Sequence, residues 1–298
     1  MKRILVLFIN IIFASSAYAN DLDKALELTI SGNYDEALQI ITLAVEDNEP
    51  RGYGALGYYK LLGLGMKQDC SQAYKYFEKA AEGGHESSMN VLSVLSLPSD
   101  FDISVETFSD FNNVDLSINA ISKCRIKNVE KALIYTSKLA ELQNAEGLNN
   151  LGAMYEHGIY VEKDIEKSIE YFQLSSDKGH SLATLNLIEV YSEQSKSEIK
   201  SLSKKLILKN EYRDKAFYHL GSYYINNETE KDIPLGMVFI SIAYYLGDES
   251  LQTHILKNAN KNEDFDAKFS EVQLELSNCI NDKYELCDDI INEIKSID

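Results

Sequence analysis

Small and large apolar residues recur along this chain at offsets 0, 3, 4, 7 and 8, which is the spacing of one face of a helix. Ala73, Tyr76, Phe77, Ala80 and Ala81 form one such set, and Ser168, Tyr171, Phe172, Ser175 and Ser176 form another. Gly236, Phe239, Ile240, Ala243 and Tyr244 keep the register. So do Ala37, Ile40, Ile41, Ala44 and Val45, and Ala132, Tyr135, Thr136, Leu139 and Ala140. The step from Ala37 to Ala73 is 36 residues, as is the step from Ala132 to Ser168. That period is the length of a helix pair and predicts a repeat array.

The helix before each such face carries a Leu-Gly step, at Leu56-Gly57, Leu151-Gly152 and Leu220-Gly221. An interior glycine costs about 1 kcal/mol relative to alanine. A compensating contact is therefore expected: the aromatic ring of the following helix, let in where a Cβ is missing. Asp69, Asp164 and Asp232 suit N-caps or first-turn acids. Gly84, Gly179 and Gly247 follow the second helices and suit left-handed C′ positions.

"ALGYYKLLGLGMKQDCSQAYKYFEKAAEGGH" and "NNLGAMYEHGIYVEKDIEKSIEYFQLSSDKGH" resemble Sel1-like repeats, relatives of tetratricopeptide repeats. The second unit carries the family's Leu151, Gly152, Tyr155, Gly158, Val161, Asp164, Lys167, Tyr171 and Gly179. It departs at Tyr160, where a second turn glycine is expected. The first unit keeps Gly63 and Gly65 but has Lys60 for the tyrosine. The unit at 213–247 has Asn226 and Asn227 in place of the turn glycines, and asparagine also tolerates left-handed geometry. The resemblance implies an all-α, right-handed α/α superhelix, or solenoid, of about six to seven helix pairs. Its clearest repeats are 51–85, 146–180 and 215–248, with degenerate units near 86–126 and 181–210. Residues 96–113 fit least well. The solenoid is expected over 20–263, with two acidic amphipathic helices over 264–298 capping its last apolar face.

The amino terminus, MKRILVLFINIIFASSAYAN, reads as a secretory signal peptide over 1–19. Lys2 and Arg3 precede an apolar run, and Ala17-Tyr18-Ala19 supplies the cleavage pattern. The run is about half of the roughly 20 residues a membrane span needs. No cysteine follows the cut, so a bacterial lipid anchor is not supported. A periplasmic or secreted location is expected, with no integral membrane segment after cleavage. The net charge of −18 disfavours nucleic acid and anionic membrane surfaces. Basic proteins and cationic peptides stay open as partners; solubility alone also accounts for the charge. The sequence does not decide the oligomeric state.

Four cysteines in an exported chain suggest disulfides. Cys279 and Cys287 would lie about 12 Å apart along an unbroken helix, but a turn at Asn281-Asp282 would bring them together. Cys70 and Cys124 both sit near turns between paired helices, and a bridge there is left open. No Cys-x-x-Cys occurs and no histidine lies near either pair, so no metal site and no cofactor is expected. His85 and His180 share one repeat position, for which a structural or surface role is expected. His157 and His219 have no partner at helical metal-ligand spacing.

Some cysteine-rich relatives of the family have been linked to penicillin binding. Ser-x-x-Lys occurs at Ser175–Lys178, Ser197–Lys200 and Ser201–Lys204, but Ser-Asp-Asn and Lys-Thr-Gly are absent. No catalytic residue is assigned. The residues most open to partner binding are those the repeat template leaves free on first helices: Tyr53, Tyr58, Asn149, Ala153, Tyr218 and Ser222. The resemblance implies an adaptor or scaffold that binds a protein or peptide on its concave face. The rival is a cell-wall or beta-lactam-binding enzyme.

Overall fold

A computed structural model describes residues 19–97, 122–194, 197–227, 233–247 and 249–259. Their regular structure is entirely helical: α1 (Ala19–Ser31), α2 (Tyr34–Glu46), α3 (Pro50–Leu62), α4 (Cys70–Glu82), α5 (Glu86–Leu95), α6 (Val129–Glu141), α7 (Ala145–His157), α8 (Ile165–Asp177), α9 (Ser181–Glu193), α10 (Glu198–Lys209), α11 (Arg213–Asn227), α12 (Ile233–Leu246) and α13 (Glu249–Ala259). The chain divides into two compact units, Met1–Tyr171 and Phe172–Asp298, with the boundary inside α8. In the first unit each helix from α1 to α7 packs on the next. In the second, α9 to α13 do the same, and α9 also touches α11. This neighbour-on-neighbour packing is that of an all-α repeat array.

The sequence template maps onto the packing position by position. The residues at offsets 0, 4 and 7 are buried in all five helices, among them Ala37, Ala73, Ala132 and Ser168 at the first offset. At offset 3 the four residues Ile40, Tyr76, Tyr135 and Tyr171 are only half-buried. In these four helices the face is thus narrower than the pattern suggests, with the offset 3 side chain along its edge, whereas Phe239 at that offset in α12 is fully buried.

Gly57 and Gly221 sit where helices touch. A Cβ on Gly57 of α3 would lie 2.7 Å from Cε1 of Phe77 on α4, so the ring occupies the space that glycine leaves. Gly221 works differently. A Cβ there would meet the Gly236 carbonyl oxygen at 2.7 Å and Ile240 Cγ1 at 2.8 Å. The expected ring is replaced by backbone meeting backbone, because α12 also has a glycine at its contact position. Phe239 instead packs against Phe217 and Tyr224, with ring centroids 5.8 Å apart in each pair.

The caps hold the register. Asp69 Oδ1 accepts from Gln72 N at 2.9 Å, and Asp164 Oδ1 accepts from Lys167 N at 3.0 Å. Asn128, Asn144 and His180 cap α6, α7 and α9 in the same way. Gly84 (φ 87°) and Gly179 (φ 90°) take the left-handed conformation after their helices. Gly247 does not; its missing Cβ admits Leu251 of α13 instead.

Cys70, the first residue of α4, is joined to Cys124, 54 positions on in sequence, with Cα atoms 5.1 Å apart. In the loop-entropy description such a closure contributes about 4 kcal/mol. Two backbone bonds fasten the same stretch to the end of α5, Ile126 N to Leu95 O at 2.6 Å and Asn128 N to Ser96 O at 3.1 Å. The degenerate stretch 181–210 forms the pair α9 and α10. Residues 1–18 of the signal segment 1–19, most of the irregular 96–113, Asp232, the Cys279–Cys287 pair and the cap at 264–298 lie outside the described residues.

Candidate partner-binding face of the first helices

The first helices of successive pairs are α1, α3, α5 and α7 in the first unit, and α9, α11 and α13 in the second. The six residues singled out from the sequence fall on three of these helices, in unequal settings. Tyr53, Asn149 and Ala153 are buried. The Tyr53 ring stacks on Tyr76, its hydroxyl donates to Asn48 Oδ1 at 3.0 Å, and Lys79 Nζ lies 5.0 Å from its centroid. Tyr58, Tyr218 and Ser222 are half-buried. Tyr58 stands edge-on against Phe77 with centroids 5.1 Å apart. Burial raises the pKa of its hydroxyl, and the Glu146 carboxylate adds to the rise, so it stays neutral.

Glu146 leads to a network that the sequence did not announce. Asn90 of α5 donates from Nδ2 to Glu146 Oε2 at 2.5 Å and accepts from Asn150 Nδ2 at 2.8 Å. Asn144 donates to Glu86 Oε2 at 2.8 Å. Asn90 lies in the degenerate stretch 86–126, where no template position marks it. The only signal for Asn150 was its place beside Asn149.

In the second unit, His219 Nδ1 and Ser192 Oγ are 2.9 Å apart, tying α11 to α9. Tyr218 OH and His254 Nε2 are 2.8 Å apart, tying α11 to α13. Burial pulls the His219 imidazole down to about 4, with Lys215 and His254 adding to the effect. His85 behaves alike. Buried beneath Gly54 with Nδ1 2.8 Å from Ser88 Oγ, it is lowered to about 4 by desolvation and then by Arg51. His180 caps α9.

Of the Ser-x-x-Lys pairs, Ser175 is wholly buried while Lys178 is exposed. Ser197 Oγ contacts Glu198 Oε2 and Ser201 Oγ donates to Glu198 O. A serine–lysine contact does form outside the three motifs: Lys205 Nζ donates to Ser176 Oγ at 3.0 Å and to Ser176 O at 2.9 Å. Ser176 has no exposed surface, so no substrate reaches its hydroxyl. Among the described residues no three His, Cys, Asp or Glu side chains are grouped to hold a metal ion, and no helix is long and apolar enough to cross a membrane.

Compared with known protein families, the chain matches the Sel1 repeat over residues 50–85, 124–144 and 145–180. It carries Sel1 repeats. The helices α11 and α12, which keep the small-and-aromatic register over 215–248, lie beyond these matches. An uncharacterized protein of Neisseria meningitidis serogroup B is 27% identical to this Sel1-repeat chain over 147 residues, which is 47% of the chain and 32% of that protein. The chain thus spans about a third of that relative's length. Two solved structures share 20% identity with it. One is a Sel1 repeat protein from Oxalobacter formigenes, with a TM-score of 0.44, covering 75% of this chain and 76% of that one. The other, with a TM-score of 0.41, is a protective antigen present in uropathogenic Escherichia coli strains and displaying an SLR fold; the match covers 80% of this chain and 56% of that one.

Proposed function

We propose that this Sel1-repeat protein is an exported adaptor or scaffold that binds a protein or peptide partner along the concave face formed by its first helices. The observation that carries the reading is the hydrogen-bonded polar cluster that Asn90, Glu146 and Asn150 form between two successive first helices. Second helices bury their small residues against neighbours, so specificity resides on the first. Recognition works by shape and hydrogen-bond complementarity, and no bond is made or broken. Family membership supports protein–protein interaction as the general role.

The test is a crosslinking pull-down from envelope extracts with three folded variants. Asn150→Arg and Ser222→Arg, both half-buried first-helix positions, are expected to lose the captured partner. Thr42→Arg, on the exposed face of α2, is expected to keep it. Full capture by both first-helix variants, with helical content intact by circular dichroism, would overturn the reading.

A further inference from the structure

Short turns join most neighbouring helices of the first unit, from Glu82 to Glu86 between α4 and α5 and from Glu141 to Ala145 between α6 and α7. Between α5 and α6 the chain runs from Leu95 to Val129. So long a connection does little to hold two helices together, because other contacts must offset the entropy of closing it. The Cys70–Cys124 bridge sits at this break and ties the stretch before α6 to the first residue of α4. Cys124 is buried in the core that α4, α5 and α6 share, with Phe77, Met89, Leu95 and Leu139. Gln68 donates from Nε2 to Leu61 O at 2.8 Å and lies 3.9 Å from Cys124 Sγ. Just beyond the bridge, Ile126 and Asn128 bond to the end of α5, and Asn128 caps α6. The start of α7 returns to α5, where Asn144, Glu146 and Asn150 bond to Glu86 and Asn90. The two sulfurs differ in access. Cys124 is 2% exposed, whereas Cys70 is half-buried, so an attacking thiolate meets Cys70.

We propose that the Cys70–Cys124 bridge is a redox latch on the partner-binding face. Oxidised, it holds α6 and α7 against α5. Reduced by a dithiol, it lets that pair open, and the polar cluster between α5 and α7 comes apart. This deepens the binding reading above and rests on it. In the first step a thiolate of the dithiol attacks Cys70 Sγ, the bond to Cys124 breaks, and Cys124 leaves as a thiolate that takes up a proton. The dithiol's second thiolate then attacks its own sulfur in the mixed disulfide, and Cys70 leaves and is protonated in turn. The protein gains two electrons and two protons from the dithiol, which ends as a disulfide.

The test is hydrogen exchange read by mass spectrometry on a chain carrying Cys279→Ser and Cys287→Ser, which leaves dithiothreitol the Cys70–Cys124 bridge alone. On reduction, amides of α6 and α7 are expected to exchange at least about tenfold faster, while those of α2 and α3 stay within about twofold. Cys70→Ser with Cys124→Ala is expected to give the same pattern without reductant. In the crosslinking pull-down that variant is expected to lose most of the capture the oxidised chain retains. If it fails to fold, the dithiothreitol-reduced chain carries the exchange comparison by itself. Exchange in α6 and α7 that ignores reduction overturns the latch. So does equal acceleration in α2 and α3, which means loss of stability throughout the unit. The proposal also falls if α6 and α7 open and capture is unchanged. In each of these cases, loss of capture by Asn150→Arg leaves the binding face standing. Full capture by Asn150→Arg and Ser222→Arg removes the face itself, and the latch with it.

Discussion

Tyr160 adopts φ 60°, the conformation taken by Gly65 in the repeat at 50–85. A left-handed non-glycine residue costs roughly 1–2 kcal/mol. The ring offsets that cost by packing beside Leu148, Leu151 and Met154, and its hydroxyl donates to Ser96 O at 3.3 Å. At the same scale the two buried imidazoles make the fold sensitive to acid. His85 and His219 both titrate near 4 when folded, against an ordinary value of 6.5. The unfolded chain therefore takes up protons first as pH falls. The stability these groups contribute is complete above pH 6.5 and is lost as the pH drops toward 4. We expect each to cost roughly 3 kcal/mol at the acid end of that window. Urea midpoints measured at intervals between pH 7.5 and 4.5 should fall for the wild type. His85→Gln, which still reaches Ser88, should fall less steeply. Parallel slopes would show that His85 is not held neutral.

Helix-to-helix contact depends on which residue faces which, and here the sequence was legible in part. The five registers, the Asp69 and Asp164 caps and the Gly57–Phe77 contact follow from spacing alone, because a small residue one turn from an aromatic one has few other ways to pack. The Gly221 contact did not follow, since backbone-to-backbone approach requires knowing that Gly236 lies opposite. The Asn90–Glu146–Asn150 network was hidden for another reason. Hydrogen-bonding residues on first helices have no periodicity, and Asn90 and Glu146 are 56 residues apart. A direct check on the nesting is Gly57→Ala. Helix propensity alone would stabilise α3 by about 1 kcal/mol. The crowding against Phe77 is expected to reverse the sign and destabilise the protein by about 1–2 kcal/mol. Thermal melting should show a lower midpoint, partly restored by Phe77→Leu in the same chain; a raised midpoint for Gly57→Ala would deny the close contact.

For the molecule as a whole, the array of Sel1 repeats and the acidic charge were readable from spacing and composition. The partner was not, because a binding face is set by side chains the repeat template leaves free. Only three of the six residues chosen on that basis, Tyr58, Tyr218 and Ser222, keep accessible surface; Tyr53, Asn149 and Ala153 are taken up by packing. Site-specific photo-crosslinking in intact cells tests the central claim most directly. A photoreactive residue placed at Asn150 or Ser222, on first helices, should yield discrete adducts with another protein. The same residue at Leu43 of α2 or Leu208 of α10, both exposed on second helices, should yield none. Adducts of equal yield from Leu43 and Leu208, or none from Asn150 and Ser222, would contradict the account.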